Sequence, residues 1–324
     1  MSMVRNSHRY PFLRLQAVIF LLALAGCIGE DRGGCPGILV IEPHYLLHDK
    51  GANDRFGEEV HRLELHLFGE SGTYLSTMTD NGPHYSNGQR FEVELPEGVF
   101  HVLAVGGAAE AYETGTYDSK APEGFSSGLH RGVSTLDDFR IRMRKNTGGT
   151  EAAHHADSLF FGRLDAGHAS TDNYDPQPVY LTKNTKRITL RIRGIAANAD
   201  ARLYADNERI GARNERPADT RPICYTPYET STGADNLAIR CFRTSRLYTD
   251  GQLTLQLLEA GTGKAAPGFS FDLTERLRSV PGYATQEGLD RTDHFVIDLT
   301  ISGKGTLISL RVNGWETVPV VPEV

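Results

Sequence analysis

Few residues in this chain have the type and spacing to do chemistry. Gly124-Phe125-Ser126-Ser127-Gly128 has the spacing of a serine nucleophile on a sharp turn, which requires a buried strand directly before the serine and a helix directly after it. Ala121-Pro122-Glu123 and Leu129-His130-Arg131-Gly132 flank it instead, so a Gly/Ser loop is expected and no catalytic residue is assigned. A metal needs converging His, Cys or carboxylate ligands. His61 and His66 have no partner at a ligand spacing and read as solvent-face residues of a strand. The adjacent His154 and His155 point apart on an extended chain, and with His168 they complete no ligand set, so no metal or cofactor is expected. Cys224 and Cys241 could close a short loop as a disulfide, which would stabilise it by about 3 kcal/mol, with Cys35 left over. Arg140, Arg142, Arg144 and Lys145 form a basic stripe that could hold a carboxylate or a lipid phosphate, but a solvated strand face is the expectation. No phosphate-binding loop, dinucleotide fingerprint or zinc motif occurs.

The remaining cysteine is different. Arg5, Arg9 and Arg14 precede an apolar run from Ala17 to Ala25, the basic and apolar regions of an export signal. The run is shorter than the roughly 20 apolar residues of a membrane-spanning helix. It ends in Leu24-Ala25-Gly26-Cys27, which resembles the lipobox of bacterial lipoproteins, where the signal is cut before the cysteine and the cysteine is lipidated. More than one acyl chain on Cys27 would anchor the chain stably, since each buried methylene contributes about 0.8 kcal/mol. Glu30-Asp31 resembles the tag that sends lipoproteins of some Gram-negative groups to the outer face of the outer membrane.

What such an anchor would hold is read from the elements. Net charge is -7, which argues against nucleic acid as a partner, because phosphate neutralisation needs clustered Lys and Arg. Thirty-four glycines, 15 prolines and short runs rich in Val, Leu, Thr, Tyr and Phe predict an all-β protein. Residues 1–26 are read as signal, 27–37 as a polar tether, 38–168 as one β-sandwich domain and 176–324 as a second, with Asp165 to Pro178 as the linker. Val60 to Phe68 alternates, with Leu63, Leu65 and Leu67 on one face, and reads as a half-buried strand. Phe91 to Leu95, Pro96-Glu97-Gly98 and Val99 to Val105 read as a β-hairpin. Gly106 to Thr135 reads as a polar insertion. Arg187 to Arg193 and Leu253 to Leu257 continue the strand pattern, and a short helix is expected near Thr274, capped by Asp272 or Thr274. His294 to Ile301 and Thr306 to Trp315 form a closing hairpin, and Pro319 and Pro322 keep the tail extended.

Cys27-Ile28-Gly29-Glu30-Asp31 with Cys35-Pro36, Leu95-Pro96-Glu97-Gly98, Ser158-Leu159-Phe160-Phe161-Gly162 and Val312-Asn313-Gly314-Trp315 together resemble the FimB/Mfa-type fimbrial subunits of type V pili. The resemblance implies two transthyretin-like β-sandwich domains, lipid on Cys27, an outer-membrane location on the cell surface, and fimbrial shaft or accessory subunits as partners joined by strand insertion. It also implies a role at the base of the fimbria, holding the shaft and limiting its length. The alternatives are a tip or accessory subunit, or a surface adhesin or glycan-binding lipoprotein with an aromatic-lined pocket in the Gly106 to Thr135 region. Arg32 is a candidate protease site whose cleavage would release the protein.

Overall fold

A computed structural model describes residues 36–316, apart from residues 83, 108–109, 197–198, 260–263 and 303–306. The lipobox, Cys27, Arg32, Cys35 and the proline-containing tail therefore lie outside the described residues. The chain is all-β, built from packed antiparallel and mixed sheets.

In the first half, β1 (Gly37–His44) lies between β4 (Phe91–Leu95), antiparallel, and β10 (Gln177–Tyr180), parallel. Across from this sheet runs a five-stranded one in the order β11 (Thr182–Lys183), β9 (Leu159–Ala169), β5 (Gly98–Gly107), β2 (Leu63–Gly69) and β3 (Tyr74–Asp80). Strand alternation sends Leu63, Leu65 and Leu67 toward Leu39, Ile41, Phe91 and Val93, and these form one core. Fully burying each such side chain contributes roughly 1.5–3 kcal/mol.

Pro96-Glu97-Gly98 does not make the expected hairpin. β4 pairs with β1, and β5 pairs with β2 and β9, so this turn carries the chain from one sheet to the other. The alternating residues of the two strands meet across the core rather than along a ladder. Phe91, Val93 and Leu95 face the same core as Phe100, Val102 and Ala104.

The other face of the five-stranded sheet is covered too. β14 (Arg209–Gly211), β8 (Phe139–Met143), β6 (Tyr112–Tyr117) and β7 (Phe125–Ser127) form a third sheet. Its Phe139, Ile141 and Met143 pack with Phe68, Leu103, Val105 and Phe161. The segment expected as a polar insertion therefore supplies two strands, β6 and β7, and β2 is buried on both faces. His66 is 3% exposed, with its ring 5.5 Å from that of Phe139.

The second half is a sandwich of a six-stranded and a four-stranded sheet. The larger is ordered β16 (Glu229–Thr232), β17 (Ala238–Ser245), β12 (Thr185–Arg193), β20 (His294–Ile301), β21 (Leu307–Val312) and β22 (Trp315–Glu316). β12 and β20 run parallel at its centre. The smaller is β15 (Ile223–Tyr225), β13 (Asp200–Ala205), β18 (Leu253–Leu258) and β19 (Ala265–Asp272). Ile188, Leu190 and Ile192 meet Leu203, Leu253 and Leu255 between them. The helix Leu273–Arg278 is capped by the Asp272 carboxylate, which accepts from the Thr274 N–H at 2.8 Å.

The passage between the halves differs from the expected linker. Residues 165–169 extend β9, and 177–183 form β10 and β11, which pair with β1 and β9. The chain enters the second sandwich at Asn184–Thr185. The cluster around Phe139 and Met143 is continuous with the second sandwich's core.

Candidate functional site

The junction of the halves is organised by β8. Alternation turns Phe139, Ile141 and Met143 inward and Arg140 and Arg142 to the other side, with Arg144 and Lys145 following just past the end of the strand. β14 lies alongside in the register Arg209↔Arg142, Ile210↔Ile141 and Gly211↔Arg140, which delivers Glu208 and Arg209 from the second half. The Asp219 carboxylate accepts from Arg140 Nε and Nη2 at 3.0 and 2.8 Å and from Arg209 Nη1 at 2.6 Å. Burial by itself would raise the Asp219 pKa, but the hydrogen bonds from Arg140 and Arg209 outweigh it and hold it below the ordinary carboxylate value.

Arg142 reaches Glu113 at 2.6 Å and stacks over the Phe125 ring at 3.9 Å. Lys145 bridges Glu123 at 2.9 Å and the buried Glu208 at 3.1 Å. The basic stripe expected on a solvated face is thus largely neutralised within the molecule and welds the two halves. The carboxylates that do this, Glu113, Glu123, Glu208 and Asp219, come from four separate places in the sequence, two of them in the second half. The three-residue β14 carries no periodic signal that would have announced them.

β1 is the element next to the candidate anchor. Leu39 and Ile41 are fully buried, and its first half pairs with β4 while its second half pairs with β10. Any cleavage ahead of Gly37 leaves that strand in place.

The other sequence candidates scatter. Ser126 sits on the edge strand β7, paired with Thr116, with no helix behind it. His154 and His155 are exposed on the loop before β9, and His168 is exposed near the end of that strand. Among the described residues no three His, Cys, Asp or Glu side chains are placed to share a metal ion. His66, expected at the solvent face, is buried instead. It hydrogen-bonds Thr77 Oγ1 at 2.7 Å, and burial followed by the Arg62 charge pushes its pKa down to about 3.

Cys224 and Cys241 are buried, separate thiols. Cys224 is on β15 opposite Tyr204, and Cys241 is on β17 opposite Thr189, so the two sheets of the sandwich hold them apart and the structure does not join them. Asn313-Gly314, expected inside the closing strand, is a two-residue turn with φ of 49° and 84° between β21 and β22. The left-handed backbone suits Asn and Gly.

A family model described as fimbrillin-A associated anchor proteins Mfa1 and Mfa2 matches residues 33–320. Among solved structures, the chain is similar to the fimbrial anchor protein Mfa2 from Porphyromonas gingivalis, with 19% identity over 88% of this chain and 100% of that one and a TM-score of 0.72. A candidate polysaccharide-binding protein from Bacteroides thetaiotaomicron superposes with a TM-score of 0.74 at 22% identity, covering 89% of this chain and 99% of the other. A candidate adhesin from Bacteroides ovatus gives 0.71 at 22% identity, covering 87% and 95%. No curated protein matches the chain in sequence.

Proposed function

The chain belongs to the family of fimbrillin-A associated anchor proteins Mfa1 and Mfa2, and on that premise we propose that it is a structural lipoprotein fastening a fimbria to the outer membrane. Lipid on Cys27 is the attachment, residues 28–36 are the spacer, since the expected tether loses Gly37 to β1, and the two-halved β body meets shaft or accessory subunits. The observation that carries this reading is the place of β1. Strand-inserting polymers grow where a subunit leaves a sheet position empty for a neighbour's strand. Here that position is filled by the chain's own first strand, with Leu39 and Ile41 at 0% exposure. A subunit that keeps β1 and carries a lipid ahead of it is suited to end a fibre and so to limit its length.

The adhesin reading expected an aromatic-lined pocket in the Gly106 to Thr135 region. Those residues build β6 and β7, and the clefts they line hold a single aromatic side chain each, Tyr112 in one and Phe125 in the other, both buried, so the anchor reading is preferred. Replacing Cys27 by Ala is expected to shed fimbriae into the medium. Fimbriae that remain attached and of normal length would overturn the proposal.

A further inference from the structure

A polar cleft of about 320 Å³ opens where the outer face of the six-stranded sheet meets the loops after β1 and before β9. Three basic residues stand in a row across adjacent strands of that sheet. Arg243 on β17 is directly opposite Arg187 on β12, and Arg187 is directly opposite His294 on β20. Like charges directly opposite one another destabilise a sheet, so this row is an internal cost of the fold. Among the described residues Arg187 has no carboxylate within ion-pair distance; its guanidinium instead donates to His294 Nδ1 at 3.1 Å. Because a guanidinium only donates, Nδ1 must accept, which makes the ring neutral with its proton on Nε2, 2.9 Å from Thr189 Oγ1. Arg243 is about half exposed and reaches Asp157 only at 4.0 Å.

Beneath the row, Lys186 is 1% exposed and donates from Nζ to the Asp290 carbonyl at 2.7 Å. Burial lowers its pKa to about 8, as expected of a cation whose desolvation is only partly compensated. Five Lys and Arg residues line the cleft against three Asp, in a chain of net charge -7. Lys183 is held by Glu59 at 2.7 Å and Asp293 at 3.4 Å, and Lys50 lies 3.9 Å from Glu59, which leaves Arg187 and Arg243 as the least engaged cations of the cleft.

We propose that this cleft binds an oxyanion, carboxylate or sulfate, carried by an acidic saccharide, with Arg187 and Arg243 as the primary contacts. Two adjacent guanidinium forks suit planar or tetrahedral oxyanions. Hydroxyls from Ser158 and Thr185 line the walls and Ala156 is the one aliphatic side chain there, which fits a polyhydroxylated ring and not an acyl chain. The volume lies at the small end of ligand pockets, which run about 300–1,000 Å³, enough for one or two sugar units. This site is independent of whether the chain anchors a fimbria.

The test is calorimetric titration of the full chain, held in an uncharged detergent, with oligogalacturonate, a heparin tetrasaccharide, neutral maltotetraose, tetraglutamate and inorganic sulfate. The acidic saccharides are expected to bind and maltotetraose not to. Arg187→Gln and Arg243→Gln are each expected to weaken binding about tenfold, the size of a lost hydrogen bond to a charged group. Arg187→Gln is also expected to hold or raise the melting temperature, since it relieves the like-charge pair, and this separates lost binding from lost folding. Equal binding of maltotetraose, unchanged affinity in both variants, no binding by any probe, or tighter binding of tetraglutamate would overturn the proposal. Sulfate binding as tightly as the saccharides would mean an adventitious ion only, and would overturn it too.

Discussion

Replacing Asp219 by Ala removes the acceptor shared by two buried arginines and tests whether the halves are welded by charge. Three charge-assisted bonds are lost, at 3.0, 2.8 and 2.6 Å. Arg209 is 0% exposed and Arg140 9%, so neither guanidinium regains water. Removing one partner of a buried pair costs about 3–5 kcal/mol. Two features place this case at the low end. The arginines keep carbonyl acceptors, Asp137 and Phe139 for Arg140 and Glu123 for Arg209, and Asp219 is itself 18% exposed and partly screened. The expected loss is therefore ~3 kcal/mol, or a fall in melting temperature of about 6–12 °C for a domain of a couple of hundred residues.

The sign with pH follows from the direction of the shift. The folded Asp219 carboxyl titrates below its unfolded value, so its stabilisation is fully present above the ordinary pKa near 4 and is lost as pH falls through the lower folded value. Urea unfolding of wild type and variant should differ by a constant amount from about pH 5 to 8, and the gap should close in stronger acid. A difference under 1 kcal/mol at pH 7, or one that shrinks as pH rises, would refute the reasoning.

Three further outcomes are expected. Wild-type stability should fall by roughly 1.4 kcal/mol per pH unit from His66 as pH drops below about 6.5, because the unfolded chain takes up a proton that the buried ring refuses. His66→Leu should flatten that slope in urea melts, and parallel slopes would count against it. Leu39→Ala, at a fully buried position, should cost about 2–5 kcal/mol, and β1 amides should be among the slowly exchanging ones; fast exchange would mean the strand is not integral. Asn313 holds its turn at φ 49° and bonds the Val296 N–H at 2.7 Å and the Tyr283 hydroxyl at 2.7 Å. Asn313→Ala should therefore cost about 1–3 kcal/mol, and Asn313→Gly distinctly less if backbone strain is the larger part.

The positions of strands were legible because alternation is local, whereas their pairing was not. Leu63, Leu65 and Leu67 showed one apolar face, but nothing in Glu64-x-His66 announced that Phe139 would cover the other. The Pro96-Glu97-Gly98 turn has the composition of a hairpin, and only the distant partners of β4 and β5 make it a crossing between sheets. Asn313-Gly314 was readable in principle as a turn flanked by apolar residues, and the apolar run on either side obscured it. The cleft escaped detection for another reason. Arg187, Arg243 and His294 are separated by long stretches of chain, and the antiparallel pairing of β12 with β17 and the parallel pairing of β12 with β20 together set them side by side.

The same topology bears on what a cut at Arg32 does. β4 and β10 are both bonded within their sheet through β1 alone, in the order β10-β1-β4. Removing β1 would expose Leu39 and Ile41 positions of the core together with two unpaired strand edges, the condition under which a foreign strand is taken up. A cut at Arg32 precedes Gly37 and removes none of this; it separates the body from Cys27 and leaves the sheet filled. Under the proposed reading, release from the membrane and opening of a groove would be distinct events, governed by the residues on either side of Gly37. A lipid-bearing subunit under the proposed reading would stop a polymer because its acceptor position is occupied, whether or not its tether has been cut.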